Sequence, residues 1–187
     1  GEITFNGTTE STNGGTYTFS DVAYAMNKKY TASVSDTYYT DYTDSVDVNQ
    51  DRTLNITMPA KLYEVTITAL DTAGVGIANS KVHINDTVHS ADAGGHATMM
   101  LPRRDYSFTV SHVGYSNASG NISVDGTTTE YAATAELTIQ SYDIAFEVYE
   151  KDSITPVEAE VSLGNETQTA PASLVTFENV VYDGIRD

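Results

Sequence analysis

The sequence repeats itself, and that limits its folds to those that can be built by repeating one supersecondary unit. Lys61-Leu62-Tyr63-Glu64-Val65-Thr66-Ile67 returns 79 positions later as Gln140-Ser141-Tyr142-Asp143-Ile144-Ala145-Phe146. At the same offset, Ile77 to Val82 matches Pro156 to Val161, and Gly1 to Asn6 matches Ser80 to Asn85. Thr18-Phe19-Ser20-Asp21-Val22 matches Thr176-Phe177-Glu178-Asn179-Val180 at twice the period. Tyr30 to Ser35 matches Tyr106 to Ser111, after which Tyr39 aligns with Tyr115, Val46 with Ile122 and Val48 with Val124. The agreement runs through several segments in order. It divides the chain into repeats at 1–60, 61–139 and 140–187. The middle repeat is complete. The first lacks an opening strand, and the third stops before the strand that begins at Tyr30 and Tyr106.

Within each repeat the apolar residues alternate with period two, the signature of half-buried strands. Tyr63, Val65, Ile67 and Ala69 share one face; Tyr106, Phe108 and Val110 do the same. Tyr131, Ala133, Ala135, Leu137 and Ile139 predict a longer last strand. Asp71-Thr72-Ala73-Gly74, Asp92-Ala93-Gly94-Gly95 and Asp125-Gly126 supply the turns between. No stretch of helical period accompanies them. Short, evenly spaced strands with one apolar face must stack two sheets to hide those faces, so the prediction is an all-β chain of tandem sandwiches.

Tyr63 to Ile67, Asp71, Gly74, Ile77, Ser80, Val82, Asp92, Gly95, Tyr106, Phe108, Val110, Ser111, Gly114 and Tyr115 form one pattern. It resembles the carboxypeptidase-regulatory-like, transthyretin-like β-sandwich repeats of prokaryotic surface proteins. The resemblance implies immunoglobulin-like (transthyretin-like) sandwiches of about 79 residues, acting as stalks, spacers or adhesion modules. Two positions depart from the pattern. No Gly precedes Tyr39, and the first turn of the third repeat has none. Collagen-adhesin sandwiches related to this family can carry a Lys–Asn isopeptide cross-link. Lys61 is suitably placed for one, but Tyr131 to Ile139 offers no Asn or Asp, so none is expected in the middle repeat.

The net charge of -17, from 26 acidic and 9 basic residues, disfavours nucleic acid and anionic lipid as partners. With no cysteine there is neither a disulfide framework nor a thiolate metal site. No apolar run approaches the length of a membrane span, so direct insertion is not expected. An extracellular chain without cysteine, bearing N-linked sequons, fits a prokaryotic and specifically an archaeal cell surface.

Six N-x-S/T sequons stand at Asn6, Asn55, Asn85, Asn117, Asn121 and Asn165. A chain so rich in Ser and Thr would show roughly two or three by chance, so six is a modest excess. Position says more. Asn6 and Asn85 are equivalent in the repeat, and Asn165 is one residue from equivalence. All three follow a strand into a turn, where a transferase can reach, so N-linked glycans are expected and no other cofactor is. Asp47-Val48-Asn49-Gln50-Asp51 opens like a calcium loop, but the sixth and twelfth positions hold Arg52 and Met58 rather than Gly and Glu. A cation shared loosely among Asp36, Asp41, Asp44 and Asp47 is the weaker reading. His83, His89, His96 and His112 lack metal-site spacing, and no Ser lies in a G-x-S-x-G elbow. No enzymatic activity is expected. Tyr38 and Tyr42 remain as rings on which a sugar could stack, with Tyr39 assigned to the fold through Tyr115.

The expected function is structural: a glycosylated surface filament, stalk or layer held by self-association or by neighbouring repeats. The alternative is an adhesion module binding a glycan or cell through loops near Tyr38 and Tyr42. Gly1 is not a natural start, which reads as a processed or excerpted segment. The first repeat should leave Ile3 and Phe5 beside an open edge. Either continuing chain or a neighbouring subunit would supply the missing strand.

Overall fold

The computed structural model describes residues 1–12, 15–170 and 174–181. Strands, turns and irregular segments make up the described residues, with no α-helix among them. One compact unit comprises Gly1–Thr66, Thr98–Tyr106 and Asn121–Ala132. The other comprises the described residues of Ile67–Ala97, Ser107–Gly120 and Ala133–Asp187.

Residues 1–60 form an antiparallel sheet from β1 (Glu2–Phe5), β2 (Thr8–Ser11), β3 (Ala25–Ser33) and β4 (Tyr42–Val48), in the order β2-β1-β3-β4. Asn6-Gly7 joins β1 to β2 in two residues with φ of 52° and 82°, a pair of left-handed values that suits the twist of a tight hairpin. Phe5 faces Tyr30 across the ladder, and both are buried with Ala32. A bulge interrupts β3 at Asn27, whose φ is 54° and whose N–H donates to Asp47 Oδ1 at 2.8 Å. Ile3 and Phe5 do not flank an open edge, contrary to the expectation above. β1 pairs with β2 on one side and with β3 on the other.

Residues 61–139 contribute β5 (Leu62–Asp71), β6 (Lys81–Ile84), β7 (Thr87–Ser90), β8 (His96–Pro102), β9 (Arg104–Ser111), β10 (Ala118–Val124) and β11 (Glu130–Leu137). They pair as β10-β9-β6-β7 and β11-β5-β8. The first order is that of β4-β3-β1-β2. The alternation read from the sequence is the alternation of burial. Tyr63, Val65, Ile67 and Ala69 are buried on β5, and Tyr106, Phe108 and Val110 on β9. β11 stops at Leu137. Ile139 is exposed and makes only a bridge to Tyr115, so the last strand is shorter than predicted.

Further along, β12 (Ser141–Glu147) pairs with β15 (Leu174–Val181), and β13 (Ala159–Leu163) with β14 (Glu166–Ala170). Val175 and Phe177 are buried there against Phe146, Val161, Leu163 and Val180. One alignment read from the sequence shifts. The Val157 N–H donates to the Val148 carbonyl as the Ile77 N–H donates to Ala69. Val157, not Pro156, therefore takes the place of Ile77, because proline has no N–H to donate.

Thr18 to Val22, matched in the sequence to part of β15, joins no ladder, nor do residues 51–59. At the 79-residue offset these segments fall on β8 and β11, which both pair with β5 in the sheet β11-β5-β8. Residues 1–60 hold no counterpart of β5. A strand without a partner has no backbone ladder to make, whatever its side-chain pattern.

Candidate interaction surface

The six sequon asparagines are all exposed. Asn6 opens the β1–β2 hairpin tip and Asn85 the β6–β7 tip, where Asn85 and Asp86 have φ of 49° and 60°. At the β13–β14 tip Gly164 takes the left-handed position, with φ 61°, and Asn165 follows it. That exchange of roles inside a two-residue turn accounts for the displacement of Asn165 by one position. Thr87, the hydroxyl residue of the Asn85 sequon, donates to the Ile84 carbonyl at 2.8 Å. Asn6 Oδ1 accepts from Lys28 Nζ at 2.9 Å. Asn55 lies in 51–59, Asn117 just before β10 and Asn121 on it.

Tyr38 is not a free ring. The Arg103 guanidinium stacks on it at 4.0 Å, and Arg103 Nε donates to the Asp125 carbonyl at 3.0 Å. A Cβ at Gly126 would stand 2.4 Å from Tyr38 Cε1, so the ring occupies space that only glycine leaves. Tyr131 completes the arrangement. Its hydroxyl donates to Asp125 Oδ1 at 2.7 Å and accepts from the Gly126 N–H at 2.8 Å. The backbone and side-chain hydrogen bonds of Thr127, then that of Tyr131, hold the Asp125 carboxyl down at about 2. Tyr39, assigned to the fold by sequence, is the more exposed of the pair. Tyr42 packs on Tyr30 at 6.2 Å and donates to Asp44 Oδ2.

The missing Gly before Tyr39 has a local explanation. Gly114, before Tyr115, has φ 84° in a turn closed by Tyr115 N–H to His112 carbonyl at 3.1 Å. In the corresponding turn, Tyr39 N–H reaches the Asp36 carbonyl at 3.4 Å, while Asp36 Oδ1 accepts the Tyr38 N–H at 3.0 Å. The aspartate side chain stabilises a turn that needs no left-handed residue.

Of the four aspartates considered for a shared cation with Asp41, the other three accept from local donors: Asp36 from Tyr38, Asp44 from Ser45 and Asp47 from Asn27. Asp92 takes the N–H groups of Gly94 and His96, and the His96 bond foremost holds its carboxyl below the ordinary value. His96 Nδ1 meets Thr68, His89 Nε2 meets Thr87, and His83 is exposed between buried Val82 and Ile84. Among the described residues no three His, Asp or Glu side chains gather as metal ligands. The surface chemistry is that of turns, amides and sheet edges.

Sequence reasoning missed the stacking of Tyr38 and the bulges. The bulge at Asn179 had a visible counterpart, because Asp21 is matched to it in the sequence and the two share φ of 55° and 54°. The Asn179 N–H donates to Asp143 Oδ1 at 2.9 Å.

No family model and no curated protein matches the sequence. Among solved structures, "The Bacillus anthracis TIE protein" is similar with a TM-score of 0.50 and 11% identity, over 97% of this chain and 39% of that one. "Structure of the Streptococcal ancillary pilin" is similar with a TM-score of 0.43 and 13% identity, over 83% of this chain and 64% of that one. The chain thus spans well under half the length of the TIE protein. At such identities the likeness concerns fold alone, and the first of the two carries it: the chain is an all-β, immunoglobulin-like sandwich protein.

Proposed function

We propose that the chain is a structural part of a cell-surface array, built from successive sandwich units at 1–60, 61–139 and 140–187 and carrying N-linked glycans on its hairpin tips. One observation supports the reading above others: the same connection is used twice. Tyr39 bridges Ala60, Thr40 N–H donates to the Pro59 carbonyl and Lys61 N–H to the Tyr38 carbonyl. Tyr115 bridges Ile139, Ser116 N–H donates to the Thr138 carbonyl and Gln140 N–H to the Gly114 carbonyl. In each case a strand leaves along a corner turn and passes into the next segment by backbone bonds, which resist bending better than a free linker does. The function that follows is mechanical and non-enzymatic. The acidic surface keeps neighbouring chains soluble, and glycans at Asn6, Asn85 and Asn165 would shield the tips.

Two measurements on native material test this. Peptide mass spectrometry should find hexose-bearing mass on Asn85 and Asn6; unmodified peptides across both would remove the glycan part. Limited proteolysis should release a fragment close to 61–139 that stays folded. A glycan array should show no binding. A specific hit would favour the adhesion reading instead.

A further inference from the structure

Among the described residues, Asn6 is the only asparagine followed by glycine. That pair is chemically labile. An asparagine side-chain amide lies within reach of the next residue's backbone nitrogen, and a side chain on that next residue hinders their meeting; glycine has none. Asn6 and Gly7 are both exposed at the β1–β2 tip, and a Cβ placed on Gly7 would meet nothing within 4 Å.

Two further features favour reaction there. Phe5 faces Tyr30 across the β1–β3 ladder, which sets Lys28 beside the tip. Lys28 Nζ donates to Asn6 Oδ1 at 2.9 Å. A donor on that oxygen draws electrons from Cγ and stabilises the negative charge that an attacking nitrogen places on the oxygen. Among the described residues β2 pairs with β1 alone, and Thr8 and Thr9 are exposed. An edge hairpin of this kind opens locally at little cost, which releases the tight turn and lets the nitrogen reach Cγ.

The matching tip supplies a comparison within the same molecule. Asn85 and Asp86 have φ of 49° and 60°, on a hairpin whose second strand, β7, is also an edge. The Asp86 side chain stands where Gly7 has none, and Thr87 Oγ1 donates to the Ile84 carbonyl at 2.8 Å across that turn. The two tips share a backbone form and differ in chemistry.

We propose that Asn6-Gly7 is a site of spontaneous modification, where Asn6 is converted to aspartate and isoaspartate through a cyclic imide. The Gly7 nitrogen gives up its proton and attacks Asn6 Cγ. The N–Cγ bond forms, the Cγ–Nδ2 bond breaks, and Nδ2 leaves with a proton as ammonia. Water then opens the ring at Cγ, giving aspartate, or at the Asn6 main-chain carbonyl carbon, giving isoaspartate. Water is the only co-reactant. The product puts a carboxylate beside Lys28 and removes the sequon. The isoaspartate form also adds a methylene to a turn whose two-residue length fixes the register of Thr4 on Thr9. On the glycan reading above, a glycan at Asn6 occupies the departing Nδ2, so glycosylation and conversion exclude one another at this residue. The conversion itself does not depend on that reading.

The test incubates the unglycosylated 187-residue protein in mildly alkaline buffer and follows its peptides by mass. Cleavage after Glu2 and Glu10 separates Asn6 from Asn13-Gly14, a second pair of this kind that lies outside the described residues. The Asn6 peptide should lose ammonia and then take up water, with isoaspartate among the products and a rate that rises with pH. The Asn85 peptide should stay intact over the same period. Gly7→Ala should slow conversion about tenfold, a decade in rate being about 1.4 kcal/mol of barrier. That variant strains the hairpin and favours its opening, so slowing reports the chemistry and not stability. Lys28→Met should slow conversion about fivefold, the worth of one hydrogen bond. No change at Asn6, or conversion at Asn85 as fast as at Asn6, would overturn the proposal. So would a lasting loss of ammonia that joins the Asn6 peptide to the Lys28 peptide, since Lys28 would then be the attacking group.

Discussion

Asp125 concentrates much of what single residues do in this protein. Its carboxylate accepts from Thr127 N–H, Thr127 Oγ1 and Tyr131 Oη, and those bonds draw its pKa to about 2. The unfolded value is about 3.9. The folded pKa is the lower one, so the contribution to stability is present above pH ~4 and is lost as pH falls through about 2. Carboxyl NMR should show Asp125 titrating last among the aspartates it is compared with in the unfolded chain. Tyr131→Phe should move that midpoint part of the way back up, leaving the larger Thr127 contribution in place. It also removes the acceptor of the Gly126 N–H. The stacking of Arg103 on Tyr38 should then loosen, read as faster exchange of the Lys61 amide that bonds the Tyr38 carbonyl.

At the scale of elements, two glycines with the same backbone angle separate a turn's own demand from that of its surroundings. Gly7 and Gly95 both have φ of 82°. A Cβ at Gly7 would meet open space, whereas one at Gly95 would stand 2.4 Å from the Ala69 carbonyl oxygen. Gly7→Ala should therefore cost about 1 kcal/mol, the left-handed penalty alone. Gly95→Ala should cost about 2–3 kcal/mol or more, because β5 must yield as well. Urea unfolding of the two variants measures the difference. Leu137→Ala on β11 tests the covered face in the same way, with an expected loss of about 2–5 kcal/mol.

For the whole molecule, charge and the uneven strand pairing among the described residues set the behaviour. A net charge of -17 repels itself, and salt screens that repulsion. The melting temperature should rise as sodium chloride is raised from about 0.01 M toward 1 M, where the Debye length falls to about 3 Å. A fall over that range would mean that attractive pairs dominate. Native-state hydrogen exchange should be uneven along the chain. Amides of Val65 and Ile67, in the middle of a three-stranded sheet, should be among the slowest, and those of 16–24 and 51–58 among the fastest.

Much of the fold was written locally. The period-two alternation of Tyr63 to Ala69 and Tyr106 to Val110 told which side chains would be buried, because a strand's facing depends only on neighbours two positions apart. The Asx and glycine turns at Asp71 and Asp92 were legible for the same reason: Asp71 Oδ1 and Asp92 Oδ1 bond amides within four residues. The hairpin tips bearing Asn6 and Asn85 followed from the internal alignment. Only the tertiary structure could decide which strands pair. A ladder needs two partners, so Thr18 to Val22 matches part of β15 in sequence and forms no strand, while β1 finds neighbours on both sides where an open edge was expected. Nor could residue order reveal that Tyr38 lies under Arg103 and against Gly126, 88 positions further along. Stacking depends on which distant turns the sheets bring together, and no local period records that.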